Sequence, residues 1–332
     1  MAIIKVLEFL RLNSKLLAMI TITVILLYGL TVSKTATAIG SSSDVINSQF
    51  GSYLAGRQAQ FDANSRFAIN YYLSALEKTP KNTRLLRQIL TLLVSEGRID
   101  EALPIAKRLL KLSHSSSNIA KLILILTEVR DNNYLKAYKN IDGLQKEGLN
   151  TYLLPMLKAW LLVGQNKNDA ALKIIDKRTT NAGLETLYGI QGAMISEFGN
   201  NPKDAIARYK KVAKLQKIVN LRITILLGNL YERLGQNINA KEIYDNYRDE
   251  HPETTMLDRE YKRLKTEKKL EPNNKTISDG VADALFSLGF AIQNQDPYQA
   301  IIFSRLAIYL RPSFTMAKLL LAGSMEENDN LR

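Results

Sequence analysis

Apolar residues recur along most of this chain with the period of an α-helix. In the segment spanning residues 68–76, for example, apolar side chains occur at Ala68, Tyr71, Tyr72, Ala75 and Leu76. Intervals of three and four residues place such side chains on one face of a helix. The sequence contains no run of alternating apolar and polar residues long enough to indicate a strand. The pattern therefore predicts an all-α fold.

The segment from Leu221 to Thr254 predicts a pair of antiparallel helices in detail. In such a pair a small residue lies where the helices touch, aromatic side chains fill the space beside it, and a proline ends the second helix. Residues of these types are Leu227, Gly228, Tyr231, Gly235, Ala240, Tyr244, Tyr247 and Pro252. The segment resembles a tetratricopeptide repeat, which has these residue types at the same offsets.

Similar units recur in steps of about 34 residues, the period of that family. They begin near Gln49, Thr83, Asn118, Asn150, Leu184, Leu221 and Val281. The resemblance implies an all-α fold in which about seven tetratricopeptide-like units form a right-handed α-solenoid. In the fourth and fifth units the glycine and the following alanine are further apart, at Gly164 and Ala171 and at Gly199 and Ala205. This wider spacing predicts a longer turn between the two helices.

The pattern divides the chain into a signal peptide or anchor, a linker, repeats 1–6, a polar basic connector, repeat 7 and the first helix of an incomplete eighth repeat. The signal peptide or anchor spans residues 1–38, the linker 39–48 and repeats 1–6 residues 49–252. The connector spans 253–280, repeat 7 spans 281–312 and the incomplete eighth repeat 313–332. A turn is expected at residues 327–330. Apolar residues surround most of the last helix, whereas a terminal capping helix has a polar outer face. We therefore expect either a fragment of a longer array, which is favoured, or an end that docks onto another copy or a partner.

The first forty residues have the features of an export signal. Lys5, Arg11 and Lys15 precede an uncharged apolar run at residues 16–32, and small residues follow at Ala36 and Ala38. This order is typical of a signal peptide, but the run is also close to the shortest helix that spans a bilayer. Cleavage is favoured over a retained anchor. Either alternative predicts a periplasmic location or one on the extracytoplasmic face of the inner membrane.

The composition argues against an enzyme. The chain has no cysteine and two histidines, His114 and His251, which excludes thiol catalysis, cysteine metal sites and a zinc site made of histidines. Both histidines are expected in turns, away from the partners that a catalytic triad needs. No glycine-rich phosphate-binding loop is present. We therefore expect no catalysis, no cofactor and no metal.

The net charge favours anionic partners. It is +13 for the whole chain and +10 without residues 1–38, which carry four basic residues and one acidic residue. A basic surface attracts acidic protein segments, phospholipid head groups or acidic glycan, and nucleic acid is not expected for an exported chain. The densest basic stretch lies in the connector and comprises Lys262, Arg263, Lys265, Lys268 and Lys269. It is either a solvated polar helix or linker, which is favoured, or an anion site.

The family resemblance implies a protein-protein interaction scaffold whose first helices line a concave groove. Polar residues at groove offsets are Tyr53, Arg57, Arg84, Arg87, Arg222, Asn229 and Arg233. Arginine pairs well with carboxylates, although Ile225 replaces the lysine of the carboxylate clamp that some family members have. Other groove offsets are apolar, as at Leu122, Leu126, Val129, Leu154, Leu161, Leu285 and Ile292, and would suit a helical partner or pack between neighbouring helices.

The function indicated is that of a non-catalytic scaffold of the cell envelope, with acidic or helical segments of proteins as partners. Two alternatives remain. One is an envelope or polysaccharide assembly or export factor that contacts anionic glycan or lipid. The other is the docking arm of an enzyme whose catalytic domain follows Arg332.

Overall fold

A computed structural model describes residues 48–112, 117–215, 220–266 and 270–330. Within these ranges all regular structure is helical and there is no strand, which confirms the all-α prediction. The predicted signal peptide or anchor, nearly all of the linker, His114, Lys268 and Lys269 lie outside the described residues. The chain divides into two compact units, of which the first ends at Pro80 and the second begins at Lys81.

The first unit contains one pair of helices, α1 (Gln49–Phe61) and α2 (Ser65–Lys78). The side chain of Ser48 caps α1 and that of Asn64 caps α2, each by accepting a hydrogen bond from a backbone N–H in the first turn. A β-carbon at Gly56 would lie only 2.7 Å from the buried ring of Tyr72, so glycine allows the two helices to touch.

The second unit begins with five further pairs of antiparallel helices. Their bounds are α3 (Thr83–Ser95) and α4 (Ile99–Leu112), α5 (Asn118–Arg130) and α6 (Tyr134–Asn140), α7 (Asn150–Val163) and α8 (Asn168–Thr179), α9 (Glu185–Phe198) and α10 (Pro202–Lys214), and α11 (Leu221–Arg233) and α12 (Asn237–Glu250). A short 3-10 helix, Ile141–Gly143, follows α6. Each pair packs against the next, and the interior is apolar.

The turn inside each of these pairs has one residue with positive φ. These residues are Gly97, Asn132, Asn166, Asn200 and Gly235, and successive ones are 34 or 35 residues apart. Asparagine occupies the left-handed conformation in three of the five turns, which it tolerates better than other non-glycine residues. The prediction of a longer turn was wrong for the fifth unit, where Gly199 is the C-cap of α9 and Asn200 makes a turn of ordinary length. In the fourth unit residues 164–167 separate the helices, one residue more than in the other four pairs.

Four more helices follow the first six pairs: α13 (Asp258–Thr266), α14 (Ile277–Ile292), α15 (Pro297–Leu310) and α16 (Thr315–Asn330). The polar connector therefore contains a helix. The helix α14 begins before the expected start of repeat 7, because Thr276 and Asp279 form a capping box. The last helix continues through residues 327–330, where the sequence predicted a turn.

The helices α14 and α15 lie across the first helices of the preceding pairs. Helix α14 packs on α5, α7 and α9, and α15 packs on α3. Residues 281–289 of α14 are all buried. Because first helices form the inner face of a tetratricopeptide array, the C-terminal helices of this chain cover part of the face that the sequence assigned to a partner.

Candidate functional site

A buried polar cluster lies where α14 meets the first helices, and Asp283 is at its centre. Only 2 % of Asp283 is exposed, and its Oδ1 accepts hydrogen bonds from Arg222 Nη2 and, at 3.2 Å, from Gln191 Nε2. Gln191 also donates to Ser287 Oγ at 3.0 Å and accepts from Trp160 Nε1 at 2.8 Å. Four helices thus contribute to one network.

The side chain of Arg222 makes its contacts inside the protein. Its side chain is 15 % exposed, it donates to Asp283 and Ser287, and its guanidinium carbon lies 4.8 Å from the centroid of the Phe286 ring. The sequence placed Arg222 among the groove residues available to a partner. The structure instead places it in contact with α14, which occupies that position of the groove.

Arg233 and Glu197 form a second buried ion pair, between α11 and α9. Burial raises the pKa of Glu197, while the positive charge of Arg233 acts to lower it. Arg233 is therefore paired with an internal carboxylate, although the sequence predicted that it would be available to a partner.

The basic connector contributes a third internal pair. The Nε and Nη2 of Arg263 donate to the two carboxylate oxygens of Glu232 at 2.7 Å each, and Nη2 also donates to Asn229 Oδ1 at 2.7 Å. Tyr244 donates to the same Glu232 and Asn229 side chains. Arg263 and Asn229 thus hold α13 on α11, whereas the sequence assigned both residues to possible ligand contacts. Lys262 and Lys265 are exposed.

The remaining polar groove residues stay at the surface. Arg84 and Arg87 on α3 are exposed, and within the described residues neither guanidinium forms an ion pair. In the first unit Arg57 is exposed and Tyr53 is partly buried, with its ring centroid 5.9 Å from that of Tyr72.

Most of the apolar groove positions are buried in the hydrophobic core. Leu122, Leu126 and Val129 on α5, Leu154 and Leu161 on α7, and Leu285 on α14 are buried, while Ile292 is partly exposed. The Ser278 hydroxyl lies 3.4 Å from the carbonyl oxygen of Val129, close to the N-terminus of α14. The apolar groove thus has an occupant in the chain's own helix, except at Leu154, which lines a surface pocket between α7 and α8. Of the two expectations for the buried residues, packing between helices is the one observed.

The packing of the pair α11 and α12 decides the type of repeat. A β-carbon at Gly228 would lie 2.2 Å from the ring of Tyr244, and Ala240 and Tyr231 are buried between the helices. Gly235 makes the turn with φ of 72°. The glycine, alanine and aromatic positions thus have the packing roles expected of them. This pair therefore has the packing of a tetratricopeptide repeat.

No protein-family model and no curated protein sequence matches the chain. Solved tetratricopeptide structures are similar to it. A repeat protein from Parabacteroides merdae has 14% identity and a TM-score of 0.49, covering 86% of this chain and 100% of its own. PilW, described as a type IV pilus biogenesis factor, has 15% identity and a TM-score of 0.48, covering 64% of this chain and 98% of its own. YrrB, described as having an unusual peptide-binding site, has 18% identity and a TM-score of 0.38, covering 57% of this chain and 97% of its own.

A surface pocket of about 300 Å³ lies between α7 and α8, the fourth helical pair. Its lining combines Leu154, Pro155 and Ile174 with the cations Lys146, Lys158, Lys177 and Arg178, and with Asn150 and Thr151. No pattern in the sequence predicted this site. The four cations come from the turn before α7, from α7 and from α8, and the packing of the N-terminal half of α7 against the C-terminal end of α8 brings them together.

The described residues contain no group of three or more acidic or histidine side chains arranged to hold a metal ion. Among the helices described, none combines the length and the apolar character that a membrane span requires.

Proposed function

We propose that this chain is a non-catalytic scaffold that binds protein partners at the cell envelope, and that Arg84 and Arg87 belong to its binding surface. The observation that carries the proposal is the contrast among the groove arginines of the second unit. Arg222 and Arg233 are paired with internal carboxylates, whereas Arg84 and Arg87 are exposed. An arginine pair without internal carboxylates is suited to carboxylates of another molecule.

The position of this pair on α3 supports the proposal. Arg84 and Arg87 are three residues apart and thus lie on the same face of the helix. The other end of α3 is covered, because Arg305 Nε on α15 donates to the carbonyl oxygen of Ser95 at 3.0 Å. A partner segment with acidic side chains would therefore contact the N-terminal half of α3, beyond the part that α15 occupies.

Capture of cross-linked partners from cells that produce the full chain tests this proposal. The Arg84→Glu/Arg87→Glu variant should lose partners that the unchanged protein retains, and purified partners should bind it at least about tenfold more weakly, as expected for the loss of roughly 1.4 kcal/mol. The matched control is Lys107→Glu/Lys111→Glu, which makes the same charge change at exposed positions of α4.

Equal losses in both variants would indicate a nonspecific effect of charge and would contradict the proposal. Recovery of the chain only from the cytosol would contradict its envelope location. Retention on anionic glycan or lipid that disappears with salt, without any captured protein, would favour the alternative of an envelope or polysaccharide assembly or export factor.

A further inference from the structure

The pocket between α7 and α8 combines an apolar floor with a basic rim. Its surface is mostly apolar, and its apolar lining residues are Leu154 and Pro155, which are buried, and Ile174, which is partly exposed. The ammonium and guanidinium groups come from three places: the turn before α7, α7 itself and the C-terminal end of α8. No carboxylate is among its lining residues.

Three of the four cations form no ion pair within the described residues, although one of them, Lys146, interacts electrostatically with Asp142. Lys158 Nζ bonds to Asp142 Oδ1 at 2.5 Å, and this hydrogen bond holds the pKa of Asp142 below its usual range. Lys146, Lys177 and Arg178 form no ion pair there. Lys177 and Arg178 also lie in the last turn of α8, where positive charge is favourable.

The pocket is separate from the groove that α14 fills. Trp160, which contacts Gly280 of α14, is nine residues from Thr151, which lines the pocket. Nine residues are about two and a half turns of an α-helix. The two residues therefore lie on opposite sides of α7, and the pocket stays open while α14 is in place.

We propose that this pocket binds a partner segment in which an apolar side chain lies between carboxylates. The apolar side chain enters between Leu154 and Ile174, and the carboxylates contact the cations around it. A volume of about 300 Å³ is at the lower end of the range of ligand pockets. It therefore suits a single side chain better than the acyl chain of a lipid, and cations on several sides suit a segment with charge on both sides of its anchor.

The test measures fluorescence anisotropy of labelled peptides with the purified full chain. One peptide has Glu-Leu-Glu at its centre, and two others have Gln-Leu-Gln and Glu-Ala-Glu. We expect the first peptide to bind at least about tenfold more tightly than either of the others, because each comparison removes charge or the apolar anchor and about 1.4 kcal/mol corresponds to a factor of ten.

Two pocket variants and one control complete the experiment. Lys146→Gln/Lys177→Gln/Arg178→Gln and, separately, Ile174→Glu should each weaken Glu-Leu-Glu binding about tenfold or more. Lys203→Gln/Lys211→Gln/Lys214→Gln removes the same charge from exposed positions of α10 and should leave binding unchanged. Circular dichroism confirms that each variant retains its helices.

Equal binding of the three peptides, or equal binding by pocket and control variants, would overturn the proposal. So would binding to phosphatidylcholine vesicles containing phosphatidylglycerol, lost in both pocket variants, if no peptide bound. The inference rests on the proposed function, but the two can fail separately. Peptide binding to the purified chain requires neither the envelope location nor Arg84 and Arg87.

Discussion

At the scale of single residues, the polar side chains that most resembled ligand contacts prove to be structural. Arg222, Arg233 and Arg263 each pair with a carboxylate of another helix. A buried charge is tolerated when it is paired and hydrogen-bonded, and removing one partner leaves the other uncompensated. Each pair therefore fixes how two helices meet, without being a large net source of stability.

Changing Arg222 alone should lower the free energy of unfolding more than changing both Arg222 and Asp283. In Arg222→Met, Asp283 remains buried without its cation, and we expect a loss of about 3–5 kcal/mol in the free energy of unfolding. In Arg222→Met/Asp283→Leu the loss should be smaller, because no uncompensated charge remains. Chemical denaturation of the two variants and of Asp283→Leu provides the comparison. A double variant less stable than Arg222→Met would contradict this expectation and would show that the hydrogen bonds of Asp283 to Gln191 and Ser287 outweigh its uncompensated charge.

At the scale of elements, α14 distinguishes this chain from an open array of repeats. Its buried side chains face α5, α7 and α9, and Gly280 allows it to approach Trp160 closely. A β-carbon at Gly280 would lie 2.3 Å from the indole ring. Contact at this point therefore requires glycine, and the contact places an intrinsic fluorophore at the junction.

Gly280→Gln should loosen α14 and expose Trp160 to water. Trp160 is the only tryptophan and is fully buried, so its emission reports on this junction. We expect a red shift in emission and a loss of about 1–3 kcal/mol in stability from overpacking. Gly323→Gln in α16 is the control, because no atom lies within 4 Å of a β-carbon there. The same emission in both variants and the unchanged protein would contradict close packing of α14 on α7.

At the scale of the whole molecule, tyrosines buried in several helices link stability to alkaline pH. Burial raises the pKa of Tyr72 and of Tyr188 to about 12. Burial and a hydrogen bond to Asp245 also raise that of Tyr261 to about 12. An unfolded tyrosine has a pKa of about 10. Between these values the unfolded chain loses protons that the folded chain keeps.

Stability should therefore be unaffected by these tyrosines below about pH 10 and should fall as the pH rises towards about 12. Tyr188→Phe removes one such proton. At neutral pH this variant should be less stable by about 1 kcal/mol, because Tyr188 donates a hydrogen bond to the carbonyl oxygen of Tyr152. Denaturant unfolding across this pH range should show the difference shrinking. A stability difference between the two proteins that stays constant across this range would contradict the raised pKa of Tyr188.

The sequence by itself determined the local structure. Helices follow from apolar residues spaced for one face, and the turns follow from residues that accept positive φ, as at Gly97 and Gly235. The contact of Gly228 with Tyr244 is also local, because the two residues belong to one helical pair. The sequence did not predict turns at Asn166 and Asn200, because glycines lie nearby and asparagine indicates positive φ less strongly than glycine does.

Only the tertiary structure decided which polar residues are internal. Asp283 meets Arg222, which is 61 residues away, and Gln191, which is 92 residues away, because α14 lies across the first helices. Repeat offsets identify the face of a helix but not what covers it. The same limit applies to the pocket between α7 and α8, whose lining comes from an antiparallel pair and the turn before it. Periodicity fixes neighbours along one helix, whereas burial and ion pairing depend on how different helices pack against one another.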